Sequence, residues 1–282
     1  MMVTPYKILT GDCRNLLEGM PSNGIQTCVT SPPYWKLRDY GHDKQIGLES
    51  SVKLYVDELT KVFKEIRRVL KDDGTLWLNL GDIYDGKNLA GIPWRVAFAL
   101  QDDGWILRSD IVWAKPNPMP ESISDRPTKA HEYLFLFVKS HKYYYDADAI
   151  KEPLKHKDVR IKTGFGGNKR SGGNTYSGNA YDATKLSGRN KRSVWTITTQ
   201  PFPGAHFAVM PESLVEPCIL AGSSPKDLVL DPFCGAATVP LVATKLGRHS
   251  IGIELNPDYV QLGLERIEAW ERTDESLQVS LF

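Results

Sequence analysis

Leu228-Val229-Leu230-Asp231-Pro232-Phe233-Cys234-Gly235-Ala236-Ala237-Thr238 is the stretch that decides how this 282-residue chain folds. Three apolar residues make a strand of the fully buried kind, a proline and a run of small residues turn the chain, and from Thr238 to Leu246 the apolar spacing becomes helical. A second strand, Ser250 to Glu254, follows at once. Strand, turn, helix and strand form the crossover unit of a parallel sheet, and such sheets bind ligands beyond the carboxyl ends of their strands. Glu254 ends the second strand 19 residues after Gly235, a separation at which an acidic side chain can accept hydrogen bonds from ribose hydroxyls. The chain has no GxxxxGK[ST] loop and no GxGxxG turn to cradle phosphates, so the expected ligand carries adenosine without them.

Upstream, the same alternation recurs. Ile25-Gln26-Thr27-Cys28-Val29-Thr30 reads as a short strand stopped by Pro32 and Pro33. From Val52 to Leu70 the apolar residues return at spacings of three and four, which predicts an amphipathic helix. Asp72-Asp73-Gly74 turns the chain into a strand at Thr75–Leu80, and a helix with proline near its start covers roughly Pro93 to Gln101. Strands at Ile106–Trp113 and Tyr133–Val138 flank a loop with three prolines, Lys115 to Pro120. A helix near Glu212 to Ala221 precedes the deciding stretch. The fold class is therefore α/β, a mostly parallel sheet covered by helices.

Thr30-Ser31-Pro32-Pro33-Tyr34 places a hydroxyl, two residues of fixed φ and an aromatic ring directly after a strand. These residue types suit an exocyclic amine on a base, a poor nucleophile because its lone pair is delocalised into the ring. Acceptors on its two hydrogens bend it towards tetrahedral geometry and aim the lone pair at a methyl donor. Ser31 Oγ can accept one such bond and the Pro32 carbonyl another, while Tyr34 can stack on the base. A base inside a duplex is out of reach, so the target must be flipped out.

These residues together resemble the DNA amino-methyltransferases, the family that methylates cytosine N4 or adenine N6. The resemblance implies an S-adenosylmethionine-dependent methyltransferase fold, Rossmann-like, with seven strands, the last antiparallel, and helices on both faces. It implies catalytic roles for Ser31, Pro32, Pro33 and Tyr34. S-adenosyl-L-methionine would be held by Asp231, Pro232, Phe233, Gly235, Ala237 and Thr238 at its methionine end and by Glu254 at its ribose. Asp12 and Cys13, in Gly11-Asp12-Cys13, would meet its adenine ring. His206 and Pro211 mark the segment that takes the place of a further methionine-binding motif, though without that motif's Lys-Pro pair. Relatives commonly have Phe-x-Gly-x-Gly where this chain has Phe233-Cys234-Gly235-Ala236-Ala237, so Ala237 is strained if its φ is positive. Serine at position 31 is typical of the cytosine-N4 branch, with adenine N6 the alternative target.

The order of the motifs is that of the family's β group. It divides the chain into a catalytic half (1–150), a target-recognition region (151–200) and a cofactor-binding half (201–282). Residues 151–200 carry seven glycines and a net charge of +8, leaving −7 on the rest of a chain whose total is +1. Lys169, Arg170, Arg189, Lys191 and Arg192 are the expected phosphate contacts on double-stranded DNA. The resemblance further suggests a homodimer and a cognate restriction endonuclease acting on the same site. RNA or a protein glutamine as substrate, and a non-catalytic DNA-binding relative, are the rival readings.

Cys13, Cys28, Cys218 and Cys234 form no CxxC pair and no zinc-like cluster with the six histidines, so free thiols and no metal are expected. No signal peptide or membrane-length apolar stretch is present, which points to the cytoplasm of a prokaryotic or phage-infected cell. Pro217-Cys218 could imitate the nucleophile of a C5-cytosine enzyme, but it falls on an expected helix and reads as core. Asp39, His42 and Asp43 read as a solvated loop, and Tyr143-Tyr144-Tyr145 as a strand packing on both faces.

Overall fold

Burial patterns explain why the strands form where they do. The computed structural model describes residues 5–39, 41–42, 44–153, 188–200 and 209–279. The chain opens with β1 (Tyr6–Thr10), α1 (Cys13–Glu18) and β2 (Ile25–Thr30), and all six residues of β2 are buried. Such a strand has to lie inside a sheet covered on both faces. Next comes α2 (Val52–Val69), whose buried face of Tyr55, Val56, Leu59, Val62, Phe63, Ile66 and Val69 is the stripe its sequence spacing dictates. The Ser51 hydroxyl caps it by accepting from the Leu54 N–H at 3.3 Å. The helix stops one residue short of the expected Leu70, which is already extended.

That residue opens β3 (Leu70–Leu80), longer than the expected Thr75–Leu80. The pairing steps from Ile25↔Leu70 to Thr27↔Thr75, so the turn foreseen at Asp72-Asp73-Gly74 is a bulge within one strand. A small hairpin, β4 (Tyr84–Asp85) and β5 (Asn88–Leu89), leads to α3 (Ile92–Asp102) and to the antiparallel pair β6 (Ile106–Ala114) and β7 (His131–Val138). Then follow β8 (Val194–Thr196), α4 (Glu212–Gly222), β9 (Leu228–Asp231), α5 (Thr238–Lys245), β10 (His249–Glu254) and α6 (Pro257–Val279).

One sheet holds eight of the strands in the order β1-β10-β9-β2-β3-β7-β6-β8. The first five run parallel, and β7 is antiparallel to both of its neighbours. The expected seven strands gain an eighth because the short β8 adds to the outer edge of β6. From β9 the chain continues to β10 on one side, and from β2 to β3 on the other. The β9/β2 junction is thus the topological switch point, where a crevice opens beyond the strand ends.

Tyr143-Tyr144-Tyr145 is not a strand. The Tyr144 N–H goes to the Asp73 carbonyl and the Asp146 N–H to that of Ala221, so neighbouring donors serve two different elements and no ladder can form. Tyr145 stacks on Trp77 with ring centroids 6.4 Å apart. Pro217 and Cys218 lie inside α4 and Cys218 is fully buried, as a core residue should be. All four cysteines are buried and free.

The chain divides into two units. The sheet and helices above belong to one; the other is Ala147–Lys191. Of the latter, the described residues include a bridge in which Glu152 and Arg189 exchange both backbone hydrogen bonds at 2.9 Å. The Arg189 guanidinium also holds the Glu152 carboxylate at 3.0 Å. A Cβ on Gly188 would stand 2.8 Å from the Glu152 carbonyl, so the neighbouring position is restricted to glycine. Lys169 and Arg170 lie outside the described residues.

The turn before α5 is a strained place in the sheet's crossovers, as are the turns at Asn23 and Lys226, where φ is also positive. Ala237, the N-cap, is left-handed with φ 58° and ψ 39°, the condition under which an alanine carries a penalty. Its Cβ is accommodated by α6, where a Cβ on Gly263 would lie 2.7 Å from it. Gly263→Ala should therefore destabilise the protein by roughly 2 kcal/mol, although alanine inside a helix ordinarily gains about 1 kcal/mol over glycine. Adding Ala237→Gly should recover most of the loss. Denaturant unfolding of both variants checks this, and a single mutant as stable as the double would show that the two positions do not meet.

Candidate active site

At the switch point, the last residues of β2 and β9 are joined side chain to side chain. Thr30 Oγ1 donates to Asp231 Oδ1 at 2.6 Å, and both residues are buried. The same oxygen accepts the Phe233 N–H at 3.1 Å. Burial pushes the Asp231 carboxyl up to about 7, the two hydrogen bonds pull against this, and nearby Glu254 adds to the rise.

One strand further out, β10 delivers Glu254. Its carboxylate accepts the Gly235 N–H at 2.8 Å through one oxygen and the Asn256 N–H at 2.9 Å through the other. Burial raises its pKa as well, against the pull of those amides. The Glu254 carbonyl takes the Gly11 N–H at 2.8 Å, which brings the β1–α1 turn to the same edge. There Asp12 caps α1 by accepting from the Arg14 N–H at 3.0 Å, and it also binds the Arg14 guanidinium at 2.7 Å. Burial alone would raise the Asp12 carboxyl, but the Arg14 bonds more than reverse this and hold it below the ordinary range. Arg14 itself is pinned to Glu58 at 3.1 Å. Cys13 is buried, and its thiol is pushed up to about 12, first by burial and then by Asp12.

Among the described residues, no cation pairs with Asp231 or Glu254. A buried acid, Asp231, and a half-buried one, Glu254, both with spare lone pairs and beside a turn of small residues, form a site that suits a cationic ligand with hydroxyl donors. S-adenosylmethionine, with its sulfonium, ammonium and ribose groups, has those features. Pro211, expected at the methionine end, is the buried N-cap of α4, and His206 lies outside the described residues.

On the β2 side, Ser31-Pro32-Pro33-Tyr34 is held from three directions. Tyr55 of α2 donates to the Pro33 carbonyl at 2.8 Å, so α2 grips that carbonyl and not Pro32's. The Tyr34 ring rests on Gly81, where an added Cβ would come within 2.5 Å of it. The Tyr34 hydroxyl donates to Glu132 Oε2 at 2.6 Å, and Ser31 Oγ lies 3.4 Å from the same hydroxyl, placed to donate to it. Burial first and Glu132 second raise the Tyr34 pKa well above its ordinary value. Glu132 in turn accepts from Asn79 Nδ2 at 3.1 Å and is ion-paired with Lys115.

Asn79, Lys115 and Glu132 were invisible to motif reasoning. Lys115 reads as the edge of a proline loop and Glu132 as the start of an ordinary strand. Only the β3–β7 pairing, Leu80↔Tyr133, sets Glu132 beside the end of β3. Of the loop residues set aside as solvated, Asp39 accepts from the Gly41 N–H at 2.8 Å and His42 Nδ1 from the Lys44 N–H at 3.2 Å; Asp43 lies outside the described residues. No group of His, Cys, Asp and Glu among the described residues could hold a metal ion.

A DNA methylase family profile for N6/N4 methyltransferases matches residues 25–265. The chain belongs to the N6/N4 DNA amino-methyltransferases. It is 46% identical to the Type II methyltransferase M.Cfr9I of Citrobacter freundii over 93% of this chain and 87% of that protein. To M.SmaI of Serratia marcescens it is 44% identical, over 93% and 90%. Among solved structures, the cytosine-N4-specific PvuII DNA methyltransferase superposes with a TM-score of 0.69 at 23% identity, covering 92% of this chain and 85% of that one. M1.HpyAVI in complex with its S-adenosylmethionine cofactor does so with 0.57 at 19%, covering 93% and 99%. This amino-methyltransferase thus has Type II methyltransferases among its relatives and shares its fold with a methyltransferase crystallised with S-adenosylmethionine. No helix among its described residues is long and apolar enough to cross a membrane.

The Asp231 carboxyl yields a pH prediction. Its folded pKa, about 7, lies above the ordinary 3.8, so between those values the folded state holds more protons than the unfolded one. Stability of the ligand-free protein should fall as pH rises through that window, by on the order of 4 kcal/mol at most. Asp231→Asn, which can still accept from Thr30, should lose this slope and be the more stable protein above pH 7. Denaturant titrations at pH 5 and 8 test it; parallel behaviour of mutant and wild type would disprove the assignment.

Proposed function

We propose that this amino-methyltransferase transfers a methyl group to the exocyclic N4 amine of a flipped-out cytosine in double-stranded DNA. The observation that carries the proposal is the hydroxyl pair of Ser31 and Tyr34. Because the Tyr34 proton is committed to Glu132, the Tyr34 oxygen can only accept from Ser31, and the Ser31 lone pairs face away from that bond, free for an amine. A hydroxyl at this position matches the cytosine-N4 form of the motif, whereas the adenine-N6 form more often has Asp or Asn.

S-adenosylmethionine supplies a methyl group already activated on sulfur, so the protein need not provide a covalent nucleophile. Ser31 Oγ and the Pro32 carbonyl accept from the two amine hydrogens and turn the lone pair towards the methyl group. Pro33 and Tyr55 keep the loop from relaxing, and the Tyr34 ring offers a stacking face. Asp231, Pro232, Phe233, Gly235, Ala237 and Thr238 line the methionine end, Glu254 accepts from the ribose, and Asp12 and Cys13 flank the adenine.

Residues 151–200 read the target sequence, with the catalytic half before them and the cofactor half after. Lys191 and Arg192 are phosphate contacts. A restriction endonuclease specific for the same site is the expected companion of a Type II enzyme, and the cytoplasm its compartment.

Mass spectrometry of nucleosides from DNA treated with the purified protein should show N4-methylcytosine; N6-methyladenine in its place would refute the choice of base. Ser31→Ala should keep cofactor affinity within about twofold yet lower turnover by roughly 100-fold, and unchanged turnover would remove Ser31 from the site. Neutralising Lys191 and Arg192 together should weaken DNA binding and reduce the slope of log K against log[salt] by about 2. An unaltered slope would take them out of the interface.

A further inference from the structure

Behind the Ser-Pro-Pro-Tyr motif, three side chains from three strands or strand ends meet at one half-buried carboxylate. Glu132 from the start of β7 receives the Tyr34 hydroxyl at 2.6 Å and Asn79 Nδ2 of β3 at 3.1 Å on the same oxygen, Oε2. Its other oxygen pairs with the Lys115 ammonium, just past β6. Lys115 and Glu132 are only 18% and 15% exposed, so both charges are sheltered from water. Lys115 is also held above the Trp113 ring at 4.3 Å. A buried ion pair costs desolvation and is seldom the most stable filling of such a space. Here its carboxylate is turned towards the catalytic tyrosine.

Hydrogen-bond direction along this row follows from proton counting. Lys115 and Asn79 have only donors to give Glu132, so Glu132 is an acceptor towards all three neighbours. Tyr34 must then donate to Glu132, and its oxygen is left to accept from Ser31. Every proton in the row points away from the base and towards Glu132.

We infer that Glu132 is the terminal proton acceptor of the methylation reaction, reached from the target amine through Ser31 and Tyr34, with Lys115 and Asn79 holding it in place. The inference rests on the reading of Ser31 as the acceptor for the target amine. As the N4 lone pair bonds to the methyl carbon and the carbon–sulfur bond breaks, N4 acquires a positive charge and must lose a proton. Ser31 Oγ takes that proton while passing its own to Tyr34 Oη, and Tyr34 passes its own to Glu132 Oε2. The products are a neutral methylamine, a neutral thioether and a neutral Glu132 carboxyl: one cation and one anion have cancelled. Solvent then recovers the proton from Glu132. The 3.4 Å between Ser31 and Tyr34 is the long link, and catalytic hydrogen bonds commonly tighten when substrate binds. Glu132 and Lys115 are positioning residues, since neither touches the base.

The test uses full-length protein with saturating cofactor and DNA, and reads methyl groups transferred per DNA in a single turnover, whichever base receives them. Glu132→Gln and Tyr34→Phe should each slow transfer by about 100-fold while the dissociation constants for cofactor and DNA stay within about twofold. The double mutant should be no slower than the slower single mutant, because the two act in one chain. Formate should restore part of the rate of Glu132→Ala, and acetamide should not. With tyrosines labelled at Cζ, the resonance missing in Tyr34→Phe should be displaced in Glu132→Gln, a readout independent of activity.

Wild-type rates in both single mutants, losses that multiply in the double mutant, or an unmoved Tyr34 resonance would each overturn the relay. If Glu132→Gln fails to fold, Tyr34→Phe keeps the ring and the ion pair and decides by its rate alone. N6-methyladenine as product would refute the cytosine reading and leave the relay standing, since an adenine amine loses the same proton.

Discussion

The 2.6 Å hydrogen bond from Thr30 to Asp231 is the constraint on which the rest of the site depends. β2 and β9 are adjacent in the sheet but their ends, Thr30 and Asp231, lie 201 positions apart in sequence. Their pairing places Thr27 opposite Val229 and Cys28 opposite Leu230, which fixes the height of the strand ends. The side-chain bond then locks the next residues together just where both strands leave the ladder. On one side it sets the turn that starts α5, and on the other the prolines that carry Ser31 and Tyr34. Its strength comes from burial, where no water competes for the hydroxyl, and above about pH 7, where Asp231 is ionised, the bond is charge-assisted as well. Asp231 also binds Phe233's amide, so one side chain joins the end of β2 to the turn before α5.

How legible this was varied with the kind of signal. β2, α2 and α5 could be read directly because burial in an α/β sheet writes itself into residue spacing. The Ser-Pro-Pro-Tyr string and Glu254 were legible because their chemistry is local. β1 and α6 were not anticipated, since β1 alternates only weakly between half-buried and exposed positions and α6 buries a narrow face. The strand expected at Tyr143-Tyr144-Tyr145 failed for a reason that composition cannot reveal: aromatic residues favour strands, but the Tyr144 N–H is claimed by the β3 bulge and the Asp146 N–H, just beyond, by the end of α4. Glu132 is the instructive omission. Nothing within ten residues marks it as part of the site, and only the antiparallel insertion of β7 between β3 and β6 brings it to Tyr34.

The replacement of glycine by Ala237 fits the same framework. A left-handed residue at the N-cap of α5 is needed to turn the chain sharply enough for the Gly235 amide to reach Glu254. Glycine meets that need at no steric cost, whereas alanine requires both a tolerated backbone and room for a methyl group. Gly263 of α6 supplies the room. The departure from the family's pattern is therefore accommodated by the absence of a side chain at Gly263.

Charge divides the site into two unlike halves. Asp231 and Glu254, at the ends of β9 and β10, are a buried and a half-buried acid without a cation among the described residues, and burial raises the pKa of both. Glu132, on the other side of β2, is a half-buried acid with its cation already in place. A pocket left electrically incomplete favours a cationic ligand, and a pocket already neutralised favours an uncharged one. S-adenosylmethionine carries a sulfonium, while a cytosine or adenine base is neutral, so on the proposed reading the two halves sort the reactants by charge before any shape is considered. Methyl transfer would then abolish the sulfonium charge and weaken the proposed hold of the Asp231 and Glu254 side on the spent cofactor. The same event would create a proton on the base side, where the proposed acceptor chain ends at Glu132. The sheet keeps these two electrostatic tasks apart by two strands, β2 and β3, and the Thr30 hydroxyl at the end of β2 reaches across to the first of these tasks through Asp231.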